Sequence, residues 1–468
     1  MQNKTLKKIT KFKTELKMFL LLFIIYAYFI TGFHSANEGS ALALTKAIVD
    51  DRTLTINNYR DLASVDVSLY KDHYYSDKDI GRAIIGIPVY VIDKLLGFTI
   101  EHQIFFSMEL MTAFFSAASV VLLYRFVIFM KGTARIALVL AFVYGFATIL
   151  FSFSKTFFAH PYSAFFNLSA LFALLLAIKE IKENGKKKGK YLFLSGISLG
   201  FSFLMEYTNV FVVVIILSFF FYKVRFKFLF KSILFLIFPF LVISSTLLFY
   251  NYAIFGNPFV TTYTYQLSYG NILQTTYFRY DFLREGLNGL LVSRWRGLFY
   301  YSPILLLSLI GFLHWFREKN SDKALPIALI LSFLAILLFY AATPAWRGGN
   351  SYGPRYLIAV MPFIVLPMWK TIEIYKRNKI FWIIFLILFA YSTAFAALGS
   401  FVGPAPAESF TDPFWQQNLP LFMTGFLDSY LYSENKVTLY LMIFISAFIL
   451  EQILKDFLFI KSSKLKKR

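Results

Sequence analysis

The chain has 468 residues, of which 58% are apolar, 20% aromatic and only 16% charged, with a mean hydropathy of +0.61. A soluble domain carries about a quarter charged residues, so a water-soluble enzyme is excluded, and the lack of cysteine excludes disulfides, thiolate metal sites and cysteine nucleophiles. The formal charge of +21 is then a question of which loops hold it, not a nucleic-acid footprint.

A hydrocarbon core of roughly 30 Å needs about 20 apolar residues per helix. Runs of that kind predict twelve spans, at 18–34, 103–129, 134–152, 157–178, 191–205, 208–222, 232–252, 298–316, 324–342, 357–371, 380–401 and 437–454. The fifth and sixth are short and parted only by Met205-Glu206-Tyr207. The stretch 80–100 is apolar but interrupted by Arg82, Asp93 and Lys94, and reads as an amphipathic segment lying at the interface. The expected fold is an all-α polytopic membrane protein of about twelve helices. It forms one domain over 18–454, between a basic N-terminus (1–17) and a basic tail (455–468). Six lysines ahead of the first span imitate a signal peptide, but Phe33-His34-Ser35 supplies no small-residue cleavage site, so an uncleaved helix is expected.

Alternating these spans puts both chain ends on one side, together with 32 of the 47 basic residues. The positive-inside rule makes that side the cytoplasm. The opposite face keeps the long loops 35–100, 253–297, 343–356 and 402–436, and a polar site needs that length of chain.

The first outer loop opens with Asn37-Glu38, continues through a probable helix at 39–49, and reaches a turn-rich piece containing Asp66, His73, Tyr75, Asp77 and Lys78. A carboxylate at the membrane boundary is partly desolvated, which raises its pKa and suits it to act as a base. Equally, Glu38 caps the helix after it. A lysine at that depth meets a lipid phosphate as a compact charge. The segment 343–356 has three glycines and two prolines and presents Arg347, Tyr352 and Arg355. Such arginines clamp phosphate and such aromatics stack on a sugar, the alternative being an interfacial anchoring belt. Arg294 and Arg296 admit the same two readings. Lys155 and His160 stand at the outer start of the fourth helix, where a lone histidine is more often structural than a ligand. Glu109, Glu206 and Glu451 lie within or beside spans. Nucleotide-binding, dinucleotide and zinc-protease motifs are all missing, so no nucleotide or redox cofactor is expected.

The motifs Asn37-Glu38, DVSLYKDHYYSDKDIG (66–81), YNYAIFGNPF (250–259), RWRGLFYYSPILLL (294–307) and WRGGNSYGPRYL (346–357) occur in that order. Together they resemble prokaryotic glycosyltransferases of the GT-C fold, in the dolichyl-phosphate-mannose protein mannosyltransferase and aminoarabinose-transferase-like group, over about residues 18–370. The resemblance implies a plasma-membrane enzyme that passes a sugar from a polyprenyl-phosphate donor to a protein, lipid or glycan acceptor on the outer face. It places Glu38 at the family's first-loop acid, as general base or metal-linked acid, and Lys78 at the donor phosphate. Asn37, Asp66, His73, Tyr75, Asp77, Arg294, Arg296, Arg347, Tyr352 and Arg355 are the accompanying donor-site candidates. His160 stands where the aminoarabinose-transferase-like branch carries a second acid, and Asp79 replaces the usual proline. The histidine weighs against a two-carboxylate metal site, and a divalent cation held by Glu38 and His160 is left open. One base and direct displacement predict inversion at the sugar. A secondary transporter would carry midplane polar residues and matching halves. A polysaccharide polymerase or ligase would need a larger outer loop than 402–436.

Overall fold

The computed structural model describes residues 2–33, 35–184, 189–224, 229–267, 279–319 and 321–465. His34, the basic stretches 186–188, 225–227 and 466–468, and part of the expected outer loop 253–297 lie outside the described residues.

Helices form where the apolar runs are. Six are long and apolar enough to cross a membrane: Glu101–Phe129, Ala159–Glu183, Leu234–Phe255, Ala324–Ala341, Lys379–Val402 and Val437–Asp456. A bent pair, Arg355–Val365 with Met368–Tyr375, makes a seventh if taken as one span, and four shorter apolar helices accompany them. Their outward faces carry Leu241, Phe249, Ile383, Ile387, Tyr440 and Phe444, all exposed. Rows of large apolar side chains facing outward fit a lipid solvent, and the chain is a polytopic membrane protein.

Three of the expected uninterrupted helices are broken. The run 134–152 stops at Phe146 and resumes as Leu150–Phe153; between them the Thr148 hydroxyl turns back onto the Tyr144 carbonyl at 2.7 Å. The run 298–316 divides at Ser302-Pro303, because proline brings no N–H to continue the ladder. The run 357–371 begins as a 3-10 turn, Arg355–Val360, and bends by 42° where Pro367 enters.

The expectation of an all-helical chain also needs correction. The turn-rich piece of the first outer loop is an antiparallel hairpin, Val67–Tyr70 against His73–Ser76, with Val67 opposite Ser76. Its two-residue turn, Lys71-Asp72, takes positive φ at both positions (47° and 61°), the backbone twist that matches paired strands. Ser68 bridges to Gln266, and the Leu267 amide donates to the Val67 carbonyl at 3.0 Å, so the segment after helix Leu229–Phe255 docks along the hairpin.

The stretch 80–100 forms the helix Gly81–Leu95. Arg82 and Asp93 face inward and are buried, while Ile92, Leu95 and Leu96 are exposed. The last outer loop is fastened from below: Lys155, fully buried, donates to the Asp428 carboxylate at 2.6 Å, and the Tyr430 amide donates to the Ile30 carbonyl at 2.9 Å.

Candidate active site

Four helical segments meet at a buried polar network that forms a platform. Asn167 accepts from Ser202 Oγ at 2.5 Å and donates to the Ala359 carbonyl at 3.1 Å and to Asn209 Oδ1 at 3.3 Å. Asn209 donates in turn to Ser163 Oγ and to the Ser202 carbonyl, at 2.9 and 2.8 Å. This ties the helix carrying His160 to the two short helices flanking Glu206 and to the 3-10 turn carrying Arg355. In an apolar bundle a satisfied network of this kind fixes one arrangement of its members.

Above it the helix Lys190–Met205 ends, and Glu206 leaves in an extended conformation (φ −155°, ψ 132°) before helix Asn209–Lys223 begins. The first outer loop closes over this corner. A Cβ on Gly81 would lie 2.3 Å from the Leu204 carbonyl, so only glycine lets the loop approach and bring Lys78, Asp79 and Arg82 over Glu206.

Between them lies a cavity of about 520 Å³. Its polar wall is Asn37, Lys78, Asp79, Arg82, His160, Glu206, Gln266 and Arg355; its apolar wall includes Val210, Phe211 and Phe339. Val210 and Phe211 are also 39% exposed on the outer surface of their helix, so the apolar wall continues into the lipid-facing side. His160 Nδ1 lies 2.8 Å from Glu206 Oε1, with both side chains buried. Tyr356 packs edge-on to the His160 ring at 5.5 Å and stacks on Tyr340 at 3.8 Å. Six buried polar atoms on the wall have no aligned hydrogen-bond partner: Asn37 Oδ1, Asp79 Oδ1, Arg82 Nε, His160 Nδ1, Glu206 Oε2 and Gln266 Oε1. Unsatisfied buried groups are costly, and their clustering on one cavity marks it as a ligand site.

The electrostatics are mixed. Burial works against the Lys78 ammonium, but Asp77 and Asp66, at 2.9 and 3.1 Å, outweigh it and raise its pKa. Burial raises the Asp77 carboxyl despite that partner. Asp79 is pushed well above its ordinary value by burial and then by the Glu206 carboxylate. Burial lowers the Arg82 guanidinium, opposed chiefly by Glu38.

Of the residues singled out in the sequence, Asn37, Lys78, His160 and Arg355 come together on this wall, with Asp66 and Asp77 behind as partners of Lys78. Glu38 does not line it. Fully buried, it accepts the Phe157 amide at 2.6 Å and the Ser35 amide at 3.0 Å, the helix-capping geometry of its alternative reading. Arg296 is also buried, and its guanidinium donates to the carbonyls of Arg347, Gly349 and Trp295 at 2.6, 2.8 and 3.0 Å. It fastens the glycine-rich loop, and burial brings its pKa down to about 10. Arg347 pairs outside with Glu285 at 3.0 Å, and Arg294 is exposed. Tyr352 is buried, its hydroxyl donating to the Phe395 carbonyl at 3.0 Å; Tyr75 packs beside Phe255; His73 meets Asn57 at the exposed end of the hairpin. Arg82, Asp79, Glu206 and Gln266 are the polar wall residues not named as site groups from sequence. The signal for the first three was ionisable residues interrupting or ending apolar runs, and Gln266 had none.

Of the two residues considered for a cation, Glu38 accepts backbone amides on both oxygens and His160 faces Glu206. Among the described residues no three His, Cys, Asp or Glu side chains group as a metal site.

No curated protein matches the sequence. Residues 88–261 match the dolichyl-phosphate-mannose-protein mannosyltransferase family. Among solved structures, ArnT from Cupriavidus metallidurans bound to undecaprenyl phosphate is similar at a TM-score of 0.50 and 13% identity, over 97% of this chain and 76% of that one. The Archaeoglobus fulgidus oligosaccharyltransferase tethered with an acceptor peptide containing the NVT sequon is similar at 0.50 and 13%, over 88% of this chain and 58% of that one. The chain thus spans little more than half the length of the archaeal protein. The expected resemblance stands: over residues 88–261 in sequence, and through most of its length in fold, this chain is similar to membrane glycosyltransferases of the GT-C type.

Proposed function

We propose that the chain is a membrane glycosyltransferase that takes a sugar from a polyprenyl-phosphate donor and passes it to an acceptor protein, lipid or glycan at the outer face of a prokaryotic plasma membrane. The carrying observation is the two-sided cavity. Lys78, Arg82 and Arg355 line one wall, and the other is apolar and continuous with the lipid-facing surface at Val210 and Phe211. A phosphate on a long isoprenoid has that same division. The likeness to ArnT, solved with undecaprenyl phosphate, supports the same donor class.

In this reading twelve segments cross the bilayer, counting the helix Gln2–Tyr28, the bent pair and the four shorter helices, with both termini cytoplasmic. The helix Gly81–Leu95 lies in the outer interface, its exposed Ile92 and Leu95 in the acyl boundary. The donor's leaving group is a lipid phosphate, whose growing charge Lys78, Arg82 and Arg355 stabilise in a site screened from water. The acceptor hydroxyl is held behind the anomeric carbon, and direct displacement inverts the sugar.

The test is to give the purified protein in lipid nanodiscs a panel of undecaprenyl-phosphate-linked hexoses and pentoses and to measure release of undecaprenyl phosphate. Turnover of at least one donor is expected. No release from any of them, in a folded preparation that binds none, would remove this reading.

A further inference from the structure

The transfer reading needs a base, and Glu38 is turned away from the cavity with both carboxylate oxygens accepting backbone amides. Three observations converge on another group. Glu206 stands on the cavity wall between two short helices, beyond the ladder of either. Its Oε1 lies 2.8 Å from His160 Nδ1, a close polar contact without hydrogen-bond alignment, and accepts from the Tyr340 hydroxyl at 3.5 Å, whereas Oε2 is buried without a partner. The His160 ring is itself fixed between Tyr356 and Phe158, above the asparagine platform. One oxygen oriented and one unpartnered, on a rigid support, is the arrangement a carboxylate base requires.

We propose, resting on the transferase reading above, that Glu206 is the catalytic base for a hydroxyl acceptor and that His160 is its positioning residue. As the acceptor oxygen bonds to the anomeric carbon, the bond from that carbon to the phosphate oxygen breaks. The electron pair leaves on the lipid phosphate beside Lys78 and Arg355, and the hydroxyl proton passes to Glu206 Oε2. The His160 ring, 2.8 Å from Oε1, holds the carboxylate in place so that Oε2 faces the acceptor. Across from Glu206, burial and the Glu206 carboxylate both push the Asp79 pKa up, which disfavours its charged form. The other groups facing the pair are Arg82 from helix Gly81–Leu95, Arg355 and Tyr356 from the 343–356 segment, Lys78 and Tyr207 from the loops, and Tyr340 from helix Ala324–Ala341.

The experiment uses the full chain in nanodiscs, the undecaprenyl-phosphate sugar panel as donors and methanol as the acceptor probe, with methyl glycoside and undecaprenyl phosphate as readouts. Glu206→Gln should lower kcat about 10²–10⁴-fold, the range for a lost general base, with donor KM and thermal midpoint little changed. Formate should restore part of the activity of Glu206→Ala by filling the vacated space. His160→Gln should lower kcat while donor KM and thermal midpoint stay near the parent's, because the carboxylate loses the ring that positions it. A merely structural histidine would lower the thermal midpoint and leave kcat of the folded protein unchanged. If the parent turns over donor while Glu206→Gln stays within about threefold of it, or if Glu38→Gln loses as much kcat at an unchanged thermal midpoint, Glu206 is not the base. If the parent releases undecaprenyl phosphate from no donor, the transferase reading falls first and this assignment with it.

Discussion

The cavity wall and the bracket around Arg296 draw on the same residue types and use them in opposite ways. In the bracket every guanidinium nitrogen of Arg296 meets a carbonyl, and the glycine-rich loop it fastens turns through positive φ at Gly348 and Gly349. On the cavity wall only Nη1 of Arg82 is given to backbone, at the Asn37 and Phe157 carbonyls, and Arg82 Nε, like Glu206 Oε2, is buried without a partner. The same chemistry therefore appears once as structure and once as site. What separates the two is whether backbone has already consumed the hydrogen-bonding capacity.

That contrast can be broken by substitutions on either side of it. The largest effect is expected at Arg355→Met. Loss of a charge facing the leaving phosphate should lower the rate of undecaprenyl phosphate release about 10²–10³-fold, the cost of one such stabilising donor, without unfolding the protein. Next comes Arg296→Ala, which strips the donor from three carbonyls. Each buried acceptor left unsatisfied costs about 1–3 kcal/mol, so the thermal midpoint in detergent should fall steeply and activity should fall with it. If Arg296→Ala stays as heat-stable as the parent but fails to bind donor, Arg296 belongs to the site and not to the bracket.

A smaller, pH-dependent effect is expected at Asp79. Its folded pKa is raised by burial and by Glu206, so the folded protein retains a proton that the unfolded chain releases. The stability this contributes is full below the ordinary carboxylate range and is lost as pH rises through the raised folded value. Asparagine has no proton to lose. Asp79→Asn should therefore unfold at a higher temperature than the parent in alkaline buffer, at about 2–4 °C per kcal/mol in a large domain, with the gap closing in acid. A gap independent of pH would mean Asp79 is not held protonated. The smallest effect belongs to Arg347→Ala. Its pairing with Glu285 is exposed, such pairs contribute about 0–1 kcal/mol, and the release rate should change less than twofold.

The helices were legible because a bilayer demands long apolar runs, and residues such as 103–129 or 324–342 can do little else. The break at Ser302-Pro303 was legible in principle, since proline was in view, but hydropathy averages over it. The hairpin escaped because each strand has only four residues and its turn is Lys71-Asp72, not the Asn-Gly or Asp-Gly that announces such turns. At the site, Lys78 and Arg355 were readable as charges at an outer boundary. Arg296 had two readings open, and sequence gives no sign that its guanidinium will meet backbone carbonyls. Glu206 was in view at the turn after Met205, but its significance depends on the distance to His160, 46 positions away in the chain, which only folding reveals.

The central claim is that this cavity receives a lipid phosphate. Equilibrium binding of undecaprenyl phosphate to the nanodisc-embedded chain tests it most directly. Saturable binding is expected, weakened at least tenfold in Arg355→Met and Lys78→Met and untouched in Arg347→Ala. Binding of equal strength in all four proteins, or none in the parent, would contradict it.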